Sequence, residues 1–228
     1  MGYQTPTLLH ADLTAPATVD TRRLAWVPSP LAGVERRMIE RDGGEVARAT
    51  SLVRYAPGSR FEAHTHGGGE EYLVLDGVFS DENGDYGAGT YVRNPPGSSH
   101  APFTREGCTI FVKLRQMPDH EQETIHRDAF AHPAPASGEA VRHGLFAAPH
   151  ETVAVEALGP GGSLPAGSLP AGRGGEEILV LEGVLTHGGV DHPAGTWLRR
   201  PAGSEGRLSS RQGCRYWVKR GHLPGPVR

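Results

Sequence analysis

The sequence predicts an all-β protein of two tandem barrels of the sandwich or jelly-roll kind, and three observations carry that prediction. Glycine and proline together make up 51 of 228 residues (32 plus 19), about 22% where ~12% is usual, and so many breakers exclude a helical bundle. The apolar residues fall in short runs rich in β-branched and aromatic side chains, which favour strands. Residues 70–113 also align without a gap on residues 176–219, at an offset of 106, with 20 of the 44 positions identical. The chain is therefore two copies of one unit.

Taken in order, the first copy supplies strands at 46–55, 71–79, 90–93 and 109–114, each bounded by Gly or Pro. Asp76-Gly77 and Glu82-Asn83-Gly84-Asp85 provide the positive-φ positions that tight turns need. Residues 116–135 are polar and contain the longest stretch free of Gly and Pro; they read as the connection between copies, with room for a short helix. The second copy repeats the strands at 153–158, 177–185, 196–199 and 215–219. Upstream the register slips by three, Tyr55-Ala56-Pro57-Gly58 answering Leu158-Gly159-Pro160-Gly161, which places a small insertion before Leu169, in a loop that absorbs it. The domain boundary falls between the copies, giving 1–119 and 120–228.

Composition excludes several partners. Lys plus Arg number 23 against 26 Asp plus Glu, a net charge of −3, so the surplus of basic groups that grips nucleic acid or an anionic membrane is missing. Apolar runs such as Ile178-Leu179-Val180-Leu181 are far too short to cross a bilayer. The N-terminus lacks a basic stretch followed by an apolar one, and a cytoplasmic location is expected. Cys108 and Cys214 occupy matching places in the two copies, each after a Gly and before a strand; they read as small strand residues, neither a disulfide nor nucleophiles.

The chemistry concentrates in the first copy. Residues two apart on a strand share a face, so His64 and His66 can present both imidazoles to one point. Gly67-Gly68-Gly69 permits a sharp turn that returns Glu70 on the next strand, and the Pro95-Pro96-Gly97 turn can deliver His100 from a neighbouring hairpin. Three neutral nitrogens and one carboxylate suit a divalent cation of borderline hardness, and they offset only one of its two charges. One such ion per chain is expected, zinc or iron foremost, with manganese and nickel also compatible. Iron(II) would leave positions for a chelating enol or diketone plus dioxygen; zinc would supply Lewis acidity or an activated water.

These two stretches resemble the two cupin motifs. Gly58, His64, His66, Glu70 and Gly77 match the first, Gly89, Pro95, Gly97 and His100 the second, with Thr104 where the second motif usually ends in Asn. The run GGEEYLVLDGVFSDENGDYGAGTYVRNPPGSSHAPF, followed by EGCTIFVKL, is similar to the ChrR group, whose cupin domain is the regulatory half of zinc-containing anti-sigma factors; the likeness covers roughly residues 18 to 222. It implies double-stranded β-helix barrels and metal ligands at His64, His66, Glu70 and His100. The family's sigma-binding half carries a His-x3-Cys-x2-Cys site, which no segment here matches, since no cysteine precedes Cys108.

The second copy is an internal control. At the same offset His64 faces Pro170, His66 faces Gly172 and His100 faces Gly206, while the fold-making residues persist. The fold does not need those histidines, and the second copy is expected to bind no metal, leaving Glu176 as an orphan carboxylate. Glu71 is expected to be an exposed strand residue on the face opposite Glu70, with a supporting partner of the metal ligands as the alternative. His120, His126 and His132 read as solvated, and Arg173, Arg207 and Arg211 as surface charge near the lost second site, with an anion site there as the alternative. Two functions fit: a ChrR-like sensing or regulatory module in which a small ligand or oxidant at the metal alters contact with a protein partner, or a metal-dependent dioxygenase acting on a small diketone or hydroxylated aromatic ketone. A homodimer through the second copy is a further expectation.

Overall fold

The computed structural model describes residues 7–164 and 174–225. Strand dominates them; their single helix is the 3-10 turn Thr21–Arg23, and none is long and apolar enough to cross a membrane. The chain forms two compact units, Met1–Ala11 with Leu24–Ala129 and Asp12–Arg23 with Phe130–Arg228.

In the first unit a nine-stranded antiparallel sheet runs in the order Thr7–Leu9, Val34–Gly43, Ala47–Tyr55, Cys108–Leu114, Glu70–Asp81, Thr90–Asn94 and Ile125–Asp128, with Val27–Pro28 and Gly84–Gly87 on its flanks. His64–Thr65 and Ser99–His100 form a separate two-stranded ribbon. The second unit repeats the plan in the order Ala140–Ala147, Thr152–Leu158, Cys214–Arg220, Glu176–His187, Thr196–Arg200 and Ala17–Asp20, with Ser163–Leu164, Val190–Pro193 and Leu208–Ser209 alongside. All eight strands expected from the sequence are present, displaced by no more than two residues at either end.

The sheets curl because both copies carry the same irregularity. Register jumps where Thr109 faces Asp76 and Ile110 faces Val74, leaving Leu75 as a bulge; Leu181 is its counterpart in the second unit. A bulge bends its strand and increases local twist. Just beyond it Gly77, at φ 71°, lies so close to its neighbour that a Cβ would stand 2.2 Å from the Gly107 carbonyl oxygen, and Gly183 repeats the fit against Gly213. The interiors are then filled from alternating positions: Tyr72, Val74, Phe79, Val92, Ile110 and Val112 in one, Ile178, Val180, Leu185, Leu198, Tyr216 and Val218 in the other.

Two sequence expectations differ from the structure. Residues 116–135 contain the strand Ile125–Asp128 and no helix. Ile125 is the one deeply buried apolar side chain of that strand, too little for a helical face, and the free edge of Thr90–Asn94 supplies a ladder instead. The compact units also depart from a cut between 119 and 120. Ile125–Asp128 remains with the first unit, while Ala17–Asp20 forms the equivalent edge of the second, pairing with Thr196–Arg200. The match extends to the next residue: the Ala129 amide donates to Gly89 at 2.8 Å, and the Thr21 amide to Gly195 at 3.0 Å. Both edge strands lie outside the aligned 44 residues, so the repeat carried no sign of them.

Candidate metal centre

The first barrel gathers the four expected residues. His64 pairs with His100 across the two-stranded ribbon, and the His66 amide and carbonyl bond to Ser98 and Gly97, so the turn after Pro95 fixes two histidines at once. Glu70 opens its strand opposite Asn94 and Leu114. The candidate ligand atoms of His64, His66, Glu70 and His100 all lie within 4.8 Å of one another. Ring centroids stand 5.2 Å apart for His64 and His66, 5.0 Å for His64 and His100, and 4.7 Å for His66 and His100. His66, Glu70 and His100 are buried; His64 is exposed and forms the open rim.

Hydrogen bonding fixes which nitrogen of each ring faces inward. The Ser98 hydroxyl donates to the Pro95 carbonyl at 2.6 Å, which leaves its oxygen to accept from His66 Nδ1 at 2.9 Å. Asp81 Oδ2 stands 3.1 Å from His100 Nδ1 and accepts its proton, while Asp81 Oδ1 accepts from Tyr86 Oη at 3.0 Å and the Asn83 amide at 2.7 Å. His64 Nδ1 faces the Glu62 carbonyl at 3.4 Å. Each Nε2 is thus a bare lone pair. Those of His66 and His100 are buried with no hydrogen-bond partner and lie 3.4 and 3.6 Å from Glu70 Oε2. Burial lowers the His66 pKa against the opposing pull of Glu70, which keeps that ring neutral.

Lone pairs of three imidazoles facing a carboxylate repel one another unless a cation lies among them. Metal–nitrogen bonds of ~2.0–2.1 Å put donors that share an ion ~3–4 Å apart, and the spacings about Glu70 fall in that range. The residues therefore fit a divalent ion. Asn94 Nδ2 approaches Glu70 Oε2 at 3.4 Å, steadying the carboxylate. Behind the site lie Phe79, 6.1 Å from the His100 ring, and Tyr55 and Tyr72, each 5.2 Å from Phe79. Burial pushes both phenols well above their usual range, and of the charges acting on each, Glu70 is the strongest. Thr104, at the motif's usual Asn, donates to the Val78 carbonyl at 2.7 Å and accepts from the Gly107 amide at 3.1 Å; its role is to tie down a turn.

The second barrel fills the equivalent space with ion pairs. Glu176 is not an orphan. It accepts from Arg220 Nε at 2.9 Å and from Arg200 Nη1. Arg220 also donates through Nη2 to Glu156 at 2.9 Å, and the Tyr216 hydroxyl donates to the same carboxylate at 2.8 Å. Strand register puts Arg200 where the first barrel has Asn94, Arg220 at Leu114, Tyr216 at Ile110 and Glu156 at Val53. Two buried carboxylates meet two buried guanidiniums, with the more exposed Arg142 3.7 Å from Glu156, so arginine answers both negative charges. His100's counterpart is Gly206, while the positions answering His64 and His66, Pro170 and Gly172, lie outside the described residues, as do Arg173 and the insertion before Leu169.

Sequence reading missed Arg220 for an identifiable reason: the aligned block stops at Lys113 and Lys219, one residue short of Leu114 and Arg220, whereas Arg200 lies inside it opposite Asn94 and carried no sign of its burial. Asp81 carried no signal either, since it lies outside both motifs and its counterpart in the second copy is His187. Glu71 needs correction. It does face away from Glu70, yet it is 2% exposed, accepting from Tyr91 Oη at 2.7 Å with Arg93 Nη1 3.3 Å away; alternation fixed its face but not what covers it. His120, His126 and His132 are exposed. Arg207 bonds to Ser163, and Arg211 lies 3.6 Å from Asp191 while remaining largely in solvent. Cys108 and Cys214 are free and buried, and burial pushes each thiol up to about 11, too high for a nucleophile near neutral pH.

Comparison with solved structures gives the same architecture in several proteins. A "putative dioxygenase" from Nostoc punctiforme superposes with a TM-score of 0.72 at 14% identity, covering 94% of this chain and 88% of that one. The bacterial pirin YhhW from Escherichia coli, in complex with nickel(II), gives 0.69 at 12%, covering 93% and 100%. Oxalate decarboxylase from Bacillus subtilis gives 0.61 at 12%, covering 96% and 77%. A search of curated proteins returned no match. At these identities the likeness establishes the fold, a bicupin. The ChrR Cupin-like domain model matches residues 14–118 and 150–224, most of the chain and both copies, and by that match the chain belongs to the ChrR cupin-like family.

Proposed function

We propose that this protein is a metal-dependent bicupin of the sensing or regulatory kind, in which His64, His66, Glu70 and His100 hold one divalent cation that receives a small oxygen-donor ligand or oxidant. The observation that carries this reading is the convergence of buried, unpartnered Nε2 atoms on a carboxylate in the first barrel, set against a cluster of arginine–carboxylate ion pairs at the equivalent place in the second. A bound cation would supply Lewis acidity and open coordination positions. The chain's own residues do the rest: Asp81 and Ser98 hold His100 and His66 with Nε2 inward, Asn94 restrains Glu70, and the exposed His64 leaves an approach from solvent. Membership of the ChrR cupin-like family supports a regulatory output through a protein partner.

A second reading, a dioxygenase acting on a small diketone or hydroxylated aromatic ketone, is favoured by the structural likeness to the Nostoc protein across both barrels. Metal analysis of protein purified without added metal, combined with oxygen uptake and partner co-purification, separates the two. Tightly held zinc without oxygen uptake, and a co-purifying protein partner, are expected for regulation. Iron with oxygen uptake on a β-diketone would replace that reading with the enzyme. Absence of any stoichiometric metal would sink both.

A further inference from the structure

Four tyrosines are buried among the described residues, and three have hydroxyl partners: Tyr86 donates to Asp81, Tyr91 to Glu71 and Tyr216 to Glu156. Tyr72 is 1% exposed, and its hydroxyl has none. It lies two residues beyond Glu70 on the same strand and so on the same, inward face. Its ring stacks edge-on against Phe79, which in turn abuts His100. A buried hydroxyl without a partner opposes folding, so a reason for its presence is needed. The second barrel shows that the fold supplies none: Ile178 occupies the same register position, fully buried and with no polar atom to satisfy.

From this juxtaposition we infer that Tyr72 is a ligand-recognition residue, its phenol donating a hydrogen bond to the free oxygen of a small carboxylate-type ligand whose other oxygen is held at the four-donor centre. The inference rests on the proposed metal centre and adds the class of molecule it accepts. The centre keeps one net positive charge and attracts an anionic oxygen; Val74, Phe79, Ile110 and Val112 offer the second oxygen nothing, and of the two phenols behind the site Tyr72 is the fully buried one whose hydroxyl has no partner, Tyr55 being only partly buried. Arg220 fills the corresponding space in the second barrel, which excludes such a ligand there.

The test loads the full chain and its Tyr72→Phe variant with cobalt(II) and titrates each with formate and, separately, with imidazole, following the visible cobalt band. Formate keeps a free oxygen when bound; imidazole has no such acceptor. Both proteins are expected to take up cobalt equally, with formate affinity falling about five- to tenfold in Tyr72→Phe, the worth of one hydrogen bond, and imidazole affinity unchanged. Unchanged formate affinity, an equal loss for both probes, or no formate binding to the loaded native chain would overturn the inference while leaving the metal centre standing. A native chain that takes up no cobalt would remove the centre and the inference together.

Discussion

The two barrels share strands, bulge and inner glycine, yet they neutralise an inward-facing carboxylate in opposite ways. In the first, Glu70 faces lone pairs and calls for a cation from outside; in the second, Glu176 meets Arg200 and Arg220. The conserved carboxylate shows that the scaffold tolerates a buried negative charge at this point provided something positive answers it. Whether the answer is exchangeable decides whether the barrel has chemistry. An ion held by side chains can be lost, replaced or shared with a ligand, whereas a covalently attached guanidinium can do none of these.

Several experiments break or sharpen that contrast. The largest effect is expected from His100→Ala, which should reduce bound metal from stoichiometric to background by elemental analysis while circular dichroism and thermal midpoint stay close to native; retained metal would show the ligand set to be wrong. Next comes Arg220→Leu, which gives the second barrel the first barrel's residue but strips Glu156 of its buried guanidinium and leaves Glu176 to Arg200 alone. A loss of about 3–5 kcal/mol is expected in denaturant titration, and the combined variant Glu156→Val, Tyr216→Ile, Arg220→Leu, which keeps Arg200 on Glu176, should recover part of it by removing the stranded carboxylate. A smaller change would follow Asp81→Asn, which weakens the anchoring of the His100 tautomer: metal affinity should fall about 10- to 100-fold in competition with a chelator, and an unaltered affinity would deny Asp81 that role.

The mildest contrast is with pH. Burial works against the Glu156 charge, but the hydrogen bond and charge of Arg220 outweigh it and hold its pKa below the ordinary carboxylate value. A depressed folded-state pKa contributes stability above the unfolded value, and that contribution is lost as pH falls through the folded one. Denaturant midpoints measured downward from neutral pH into the acid range should therefore decline less steeply in Glu156→Gln than in the native chain; parallel slopes would show that the pair does not govern acid stability.

Much of this was legible in the sequence because repetition and spacing are local properties. The strands announced themselves by β-branched runs between glycines, and His64, His66, Glu70 and His100 by offsets that a strand and two turns convert into proximity. What stayed hidden depends on neighbours distant in sequence. Glu71 reads as exposed until one knows what lies over its face, and Tyr72 as ordinary core until its hydroxyl is found without a partner. Nothing in a string of letters says that Arg200, Glu176 and Arg220 share one interior. Ala17–Asp20 is four residues long, with only Ala17 and Val19 buried, and a pattern that short identifies no partner.

That last strand has a consequence for how the chain must be assembled. Asp20 finds Thr196 only after a further 176 residues, Thr196 included, have been made, a wait of about 10–35 s at ~5–20 residues per second. Meanwhile the first barrel presents an identical kind of edge at Thr90–Asn94, vacant until Ile125–Asp128 leaves the ribosome. The nascent N-terminus thus passes a decoy before its true partner exists. Released chains ending at residue 119, which hold Cys108–Leu114 but not Ile125–Asp128, should leave residues 12–23 open to protease; protection there would reveal capture by the wrong edge.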